Sequence, residues 1–307
     1  MRRIYTATFG VHHYDLDAFG ELRPSTYARL LQQAATEASA DAGFANDWYV
    51  RAGTLWLVRR TAIDYLRPVR GGDRLRVRTW VADFRRVRSQ REYEVLDAAD
   101  DVLVARGHTD WVYVEQATGR PRRVPQEIVD ALMPGGLEPP LPRDPWAGNG
   151  VPRDAVAVPR TVEFRDLDGL AHVNNASYLD YVEESALAAS AAAGWPLARL
   201  FTLGGRWCPR SHDIEYLAEA VYGDRLTCLT WATACDGAEL ERHTEVRRAA
   251  DDAVLARARS RWAWVDRERR MRCEIPAPLA AALSASPPGG TGDPGAPGHT
   301  TPLTKPI

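Results

Sequence analysis

The chain of 307 residues lacks the features by which several large classes of protein are recognised. It contains no run of about 18 apolar residues, so we predict no membrane span. No apolar segment follows Met1-Arg2-Arg3, so we predict no signal peptide and expect a cytoplasmic location. The motifs GxSxG, HExxH, and GxxxxGK followed by Ser or Thr are also absent. Their absence argues against a serine hydrolase with a nucleophile elbow, a zinc protease and a P-loop enzyme.

Cysteine is scarce and unevenly placed. Cys208, Cys228, Cys235 and Cys273 all lie in the second half of the chain, and no two of them form a CxxC pair. This spacing favours free thiols over a disulfide framework or a zinc site. We therefore assign the cysteines to packing and expect neither a metal nor another cofactor.

The net charge is small, at -2, which argues against a general nucleic-acid binder. Lysine is nearly absent, with Lys305 the only one, and arginines cluster between positions 67 and 91. Within this cluster Arg74, Arg76 and Arg78 alternate, so they are expected to project from one side of a strand. The row is either a solvated sheet face or a docking surface for an acidic carrier protein or the phosphates of a coenzyme.

The chain is an internal duplication. The segment RDLDGLAHVNNASYLDYVEESA, which starts at Arg165, has a weaker copy, YDLDAFGELRPSTYARLLQQAA, which starts at Tyr14. The offset between the copies is 151 residues, and it persists without a gap through pairs such as Trp56 with Trp207, Trp111 with Trp262 and Pro125 with Pro276. A period of this length indicates two domains rather than a solenoid, and a chain that is 45% hydrophobic can bury two cores.

We predict an α+β fold in which each copy forms an antiparallel sheet of about five strands wrapped around one long helix. The predicted domains are residues 1–133 and 153–283, with a Pro- and Gly-rich linker at 134–152 and a disordered tail at 284–307. Apolar spacing of three and four residues indicates the two helices. Their expected ends are marked by Pro24 in a first turn, Asn174 or Asn175 at an N-cap, and Gly43 and Gly194 at the stops.

The DLD turn, the HVNN segment at the entrance of a long helix and the sheet that follows resemble the hotdog fold of the 4-hydroxybenzoyl-CoA thioesterase superfamily. The tandem arrangement is similar to the acyl-acyl carrier protein thioesterases of plants and bacteria. The second copy carries this likeness in HVNNASYLDYVEESA and HDIEYLAEAVYGDRL, and the first in LWLVRRTAIDYLRPVRGGDRLRVRTWV. The resemblance covers about Tyr5 to Leu283. It implies two tandem hotdog domains and hydrolysis of an acyl thioester, foremost an acyl-acyl carrier protein, to a free fatty or polyketide-type acid.

The resemblance also implies the catalytic residues. In the family the loop reads DLDxNxHVNN and a second carboxylate follows in a YRREC-like strand, which by position gives Asp168, His172 and Glu219. One of the two carboxylates would activate water or attack the thioester, and His172 would orient water or hydrogen-bond the carboxylate. The family's catalytic Asn falls on Leu170, and the Cys after the Glu falls on Ala220.

Free N–H groups at the start of the second helix suit a developing oxyanion, so we predict that Val173, Asn174 and Asn175 form that site. The first copy has Glu21 in place of His172 and Pro68 in place of Glu219. We therefore expect one active site per chain, with the first domain as a degenerate copy that lines the acyl pocket.

Each assignment has a structural alternative. The DLD triplet could serve the turn, Glu219 could be a solvent-facing acid at a strand end, and the two asparagines could cap the helix. Glu183 and Glu184 flank the buried helix stripe and are expected to be solvated, although some single-hotdog thioesterases use a helix Glu, a role that would fall to Glu184 here.

The function has alternatives as well. They are a non-catalytic acyl-carrier binding protein, motivated by Leu170, and a dehydratase-like hotdog enzyme. The expected partner is an acyl carrier protein or coenzyme A thioester. Single hotdog domains generally dimerise. We therefore expect this chain to be either a monomer, in which its own two linked domains form the pair, or a homodimer.

Overall fold

The computed structural model describes residues 3–136, 146 and 150–284. Ten antiparallel strands, five from each copy, form its sheet. They correspond closely to the segments rich in β-branched and aromatic residues. Their bounds are β1 Tyr5–Gly10, β2 Thr54–Tyr65, β3 Arg74–Arg85, β4 Arg88–Asp97, β5 Leu103–Glu115, β6 Val156–Thr161, β7 Gly205–Tyr216, β8 Arg225–Asp236, β9 Glu239–Arg248 and β10 Val254–Asp266.

The two half-sheets join edge to edge into one sheet, with the order β1-β3-β4-β5-β2-β7-β10-β9-β8-β6. At the junction between β2 and β7, Ala62 faces Asp213, and these residues are 151 positions apart, so they are equivalents in the two copies. The long helices obey the same relation, because Arg29 forms a 3.2 Å ion pair with its own equivalent, Asp180. A pseudo-twofold axis therefore passes through the junction.

The two long helices are α1, Pro24–Asp41, and α4, Ser177–Ala192. Pro24 opens α1, as expected, because its missing N–H is one that the first turn leaves unpaired. Gly43 and Gly194 follow the last helical turns with φ of 96° and 84°, a conformation that side chains rarely adopt, so both predicted stops are confirmed.

Four short helices are absent from the sequence-based prediction. They are α2 Asn46–Ala52, α3 Gln126–Leu132, α5 Leu197–Leu200 and α6 Ala277–Ser284. Each is too short to show a helical period in the sequence, and such helices are stabilised mainly by tertiary packing. Residues of α2 and α3 line one cavity and residues of α5 line another, so these helices shape the sites described below.

The largest hydrophobic core is shared by both copies. It contains residues of α1 and α4 together with the inward-facing residues of the strands, among them Tyr27, Leu31, Ile63, Tyr178, Val182 and Ile214. Each half has a further cluster of its own, around Phe84 and Ile128 in the first and around Trp264 and Leu279 in the second. The shared core and the shared sheet hold the two copies in one arrangement.

Within the described residues no single helix is long and apolar enough to span a membrane. The pair formed by α4 and Leu197–Leu203 meets that criterion only jointly, with an 81° bend between its parts. The same part of the chain contains no group of three His, Cys, Asp or Glu side chains that could hold a metal ion, and all four cysteines are free. Most of the predicted linker and all of the predicted tail beyond Ser284 lie outside the described residues.

A partly buried ion pair ties the half-sheets together. Arg60 donates from Nε and Nη2 to the two carboxylate oxygens of Asp213 at 2.7 and 2.6 Å. Arg259 lies 3.7 Å from the carboxylate of Asp213, so removal of Arg60 leaves the charge of Asp213 partly compensated.

We expect Arg60→Met to lower the free energy of unfolding by about 2 kcal/mol in urea titrations. Arg106→Met, which removes an exposed pair with Asp64, is the control and should cost less than about 0.5 kcal/mol. Equal losses in the two variants would contradict a special role for the junction.

Candidate active site

The candidate loop connects β6 to α4 and begins with a 3-10 turn at Phe164–Asp166. Asp166 is buried, and its carboxylate accepts hydrogen bonds from the N–H of Glu163 at 2.9 Å and from the hydroxyl of Tyr181 at 2.9 Å. The first Asp of the DLD triplet is therefore structural, and it fixes the loop against α4. Asp15 accepts the equivalent bond, from the N–H of His12, in the first copy.

Asp168, the second Asp of the triplet, also supports the turn. Its Oδ1 accepts the N–H of Leu170 at 2.9 Å, and its own N–H donates to the carbonyl of His172 at 2.9 Å. Asp17 does the same in the first copy, where its Oδ1 accepts the N–H groups of Phe19 and Glu21. This geometry accounts for the triplet in both copies. The predicted catalytic role of Asp168 rests on the family resemblance alone.

His172 and Glu219 are brought together although 47 positions separate them in the chain. The Nε2 of His172 lies 3.2 Å from Oε2 of Glu219, and their side chains are 35% and 62% exposed. A neutral imidazole that donates from Nε2 to the carboxylate keeps Nδ1 as its proton acceptor. The main chain of Glu219 is held in turn by Arg248, whose Nη2 donates to its carbonyl at 2.6 Å. The pair is thus an accessible base with an orienting carboxylate.

The predicted oxyanion donors are only partly available. Helix α4 begins at Ser177, later than expected, and neither asparagine is its N-cap. The N–H of Val173 donates to Ala220 at 2.9 Å and that of Asn174 to Asp166 at 2.8 Å, so both are already used. Within the described part of the chain the N–H of Asn175 has no such partner, which makes it the remaining main-chain candidate. The side chain of Asn174 accepts the N–H of Ala176 at 2.9 Å and stabilises the turn before the helix.

A cavity of about 500 Å³ lies in the first half of the molecule. Residues 168–170 of the candidate loop form part of its wall, so the two halves build it jointly. The rest of the wall is largely apolar and includes Phe44, Tyr49, Trp56, Phe84, Trp111 and Leu132. A space of this size and lining suits the apolar body of a small ligand.

Two departures from the family pattern can now be located. Leu170 is 42% exposed and lines the cavity, where it adds apolar surface instead of an amide. Ala220 is fully buried, and its carbonyl receives the N–H of Val173. The backbone at position 220 therefore holds the loop in place without a cysteine side chain.

The equivalent of His172 in the first copy, Glu21, has a different role. It is largely buried and forms an ion pair with Arg206 of the second half, while Arg70 lies 4.0 Å away. Pro68 stands where a second catalytic carboxylate would be. The first copy therefore has a structural ion pair between the halves where the second has the accessible His172–Glu219 pair.

The arginine row lies on the outer face of β3, as its alternation predicted, since Leu75 and Val77 between the arginines are buried. Two of its members are paired with acids. Arg76 pairs with Asp101, and Arg78 pairs with Glu94 at 2.8 Å. Arg74 is exposed. The net positive charge at the arginine row is thus smaller than the three arginines in the sequence indicate.

The expectation for Glu183 was wrong. Its side chain is half-buried against a second cavity, and burial, with smaller contributions from Asp180 and Asp17, raises its pKa to about 8. Glu184 is exposed, as expected. The spacing in the sequence placed Glu183 and Glu184 beside the apolar stripe of α4, but it did not show that residues of the first half cover Glu183.

Comparison with known proteins agrees with this architecture. Residues 2–132 match the family model of the acyl-ACP thioesterase N-terminal domain, and residues 162–283 match that of the thioesterase-like superfamily. Among solved structures, an acyl-ACP thioesterase from Bacteroides thetaiotaomicron has a TM-score of 0.68 at 21% identity and covers 84% of this chain and 97% of its own. The 12:0-ACP thioesterase from Umbellularia californica has a TM-score of 0.67 at 19% identity and covers 85% and 97%.

The fold is therefore a hotdog-type thioesterase fold built on a large antiparallel sheet. The two matched regions together span most of the chain: residues 2–132 belong to the acyl-ACP thioesterase N-terminal domain family, and residues 162–283 belong to the thioesterase-like superfamily. A curated relative, the chloroplastic palmitoyl-acyl carrier protein thioesterase of Arabidopsis thaliana, is 24% identical over 275 residues, which cover 84% of this chain and 64% of that protein. The matches cover between 46% and 64% of the length of the first plant relatives.

Proposed function

We propose that this protein hydrolyses an acyl thioester, with acyl-acyl carrier protein as the substrate class, and releases a free acid. The observation that carries the proposal is the His172–Glu219 pair, 3.2 Å apart, in which His172 belongs to the loop whose residues 168–170 line an apolar cavity. Family membership supports the same chemistry. A thioester needs a base, a donor for the oxyanion and a dry slot for the acyl chain, and the site offers candidates for all three.

The proposed reaction uses one water molecule. Nδ1 of His172 takes a proton from water as the water oxygen attacks the acyl carbon, and Glu219 stabilises the imidazolium that forms. The N–H of Asn175 is the proposed donor to the oxyanion. The carbon–sulfur bond then breaks, and the imidazolium returns its proton to the leaving sulfur, which gives a carboxylic acid and a free thiol.

The finer architecture is part of the proposal. We regard residues 1–133 and 153–283 as two tandem hotdog domains, each with one long central helix. The pseudo-twofold register at Ala62 and Asp213 supports this division, because it reproduces within one chain the symmetry of a two-domain pair. A monomer would then contain a complete site, and we propose a cytoplasmic location for it.

Leu170 supports a second candidate function. A site without the amide at this position could bind an acyl-carrier thioester without hydrolysing it. The two functions differ in one measurable property, which is turnover that depends on His172.

The first experiment is release of free thiol from a panel of acyl-carrier and acyl-CoA thioesters of increasing chain length. We expect hydrolysis that prefers carrier-linked substrates and disappears in His172→Ala. Binding without thiol release from any member of the panel would instead establish the non-catalytic function.

The arginine row yields a separate prediction. Charge reversal of the exposed Arg74 to Glu should raise KM for a carrier-linked substrate more than for a small thioester, since only the carrier presents an acidic surface. Arg106→Glu, on another strand, is the matched control. The same change in KM for both substrates would rule out docking at this surface.

A further inference from the structure

A second cavity, of about 310 Å³, lies in the second half of the molecule. Residues 17–19 of the first half line this second cavity, as residues 168–170 line the cavity of about 500 Å³ in the first half, which we call the acyl cavity. The two cavities are therefore counterparts under the pseudo-twofold axis. Its volume falls within the range of small-molecule sites, roughly 300 to 1,000 Å³. The proposed thioesterase reaction does not use this cavity.

The second cavity has no hydrolytic pair. Glu21, which corresponds to His172, is engaged with Arg206, and Pro68 corresponds to Glu219. A ligand in this cavity would therefore be bound without being hydrolysed.

A buried cation forms part of the wall. Arg242 of β9 is 3% exposed and lies on the same side of the strand as the lining residue Leu240. Among the residues that the structure describes, its Nε has no hydrogen-bond partner and no carboxylate forms an ion pair with it. Burial lowers the pKa of Arg242 to about 10, so it still carries its charge at neutral pH. A buried charge without a counterion is unfavourable, and an anionic ligand would compensate it.

The acids in the wall do not supply that counterion. Asp180 is paired with Arg29, and Oδ1 of Asp17 accepts two main-chain N–H groups. Glu184 is exposed to water. Glu183, with a pKa of about 8 because of its burial, is mostly uncharged at neutral pH and does not repel an anion.

The rest of the wall selects the body of the ligand. Leu200, Trp207, Leu240 and Trp262 give it a largely apolar and aromatic surface. Arg206, which also lines the cavity, is already paired with Glu21, so the buried guanidinium of Arg242 suits a singly charged carboxylate, and the limited volume suits a compact hydrocarbon group. We propose that the second cavity is a binding site for a free monocarboxylic acid whose carboxylate is held by Arg242.

The test is calorimetric titration of the full chain with octanoate and with its uncharged analogue octan-1-ol. Arg242→Met should weaken octanoate binding at this site about tenfold to a hundredfold, since a hydrogen bond to a charged group is lost, and leave octan-1-ol within about twofold. The matched control is Arg91→Met, which alters the equivalent buried arginine in the acyl cavity and should leave this site intact.

Steric variants test the location independently of the charge. Leu187→Trp should fill the second cavity and abolish the same octanoate site, whereas Thr36→Trp, the equivalent change in the acyl cavity, should not. The proposal is overturned if octanoate binding persists in Leu187→Trp, or if Arg91→Met and Thr36→Trp remove the Arg242-dependent site. Equal loss of octanoate and octan-1-ol in Arg242→Met would overturn the assignment of the carboxylate. None of these outcomes depends on hydrolysis.

Discussion

Hydrolysis of an acyl thioester is expected to fall at least about 100-fold when His172 is replaced by Ala or Glu219 by Gln. A positioned acid–base group contributes roughly 10²- to 10⁴-fold to a rate, and these side chains lie 3.2 Å apart, with His172 on the loop whose residues 168–170 line the acyl cavity. The measurement is kcat from thiol release at saturating substrate. His13→Ala, an exposed histidine of the first copy, is the control and should keep the wild-type rate.

The two variants also distinguish a catalytic effect from a structural one. Because the side chains of His172 and Glu219 are 35% and 62% exposed, neither change empties a core position, and both variants should unfold at the wild-type temperature. Wild-type rates in both would disprove the site assignment. A loss confined to His172→Ala would transfer the role of the acidic partner to Asp168.

A second large effect is expected on stability in acid. His212 is 1% exposed at the junction between the halves, where Nδ1 lies 3.2 Å from the hydroxyl of Tyr65. Burial lowers its pKa from 6.5 to about 3, because the interior disfavours the imidazolium. Above pH 6.5 the ring is neutral in both folded and unfolded chains. Below that pH the unfolded chain binds a proton that the folded chain does not, so stability falls until the pH reaches about 3.

Through this group alone, the free energy of unfolding should decrease by about 2 kcal/mol between pH 7 and pH 5. His212→Thr, which installs the residue found at the equivalent position 61, should remove that part of the pH dependence. Urea titrations at both pH values, with His13→Gln as an exposed control, measure the difference. An unchanged pH dependence in His212→Thr would mean that the junction admits the charged ring.

The elements of the fold followed from residue patterns that are local in the chain. Runs rich in β-branched and aromatic residues indicated the strands, and apolar spacing of three and four residues indicated α1 and α4. The start of α4 was less accurate, because Asn174 uses its side chain in the preceding turn rather than as a cap. The short helices could not be found, since segments of four to eight residues carry too little periodicity and their helical structure depends on the surfaces they cover.

The candidate site was only partly predictable for the same reason. The DLDxxxHVNN pattern identified the loop, and the resemblance to the family's second carboxylate motif identified Glu219. The hydrogen bonds of the Val173 and Asn174 N–H groups, however, depend on partners elsewhere in the loop and in the connection between β7 and β8. The burial of Glu183 and the pairing of Glu21 with Arg206 required knowledge of how the two halves meet.

The sequence by itself determined that the chain is a duplication, that each copy is a sheet with one long helix, and that only the second copy retains the His and Glu positions. These conclusions rest on periodicity and on residue types at a fixed offset, which need no knowledge of long-range contacts. Only the tertiary structure decided that β2 and β7 join the copies into one sheet, so that each DLD loop closes a cavity in the opposite half. That outcome depends on which strand edges pair and which surfaces are buried together, and neither property is encoded in any local pattern.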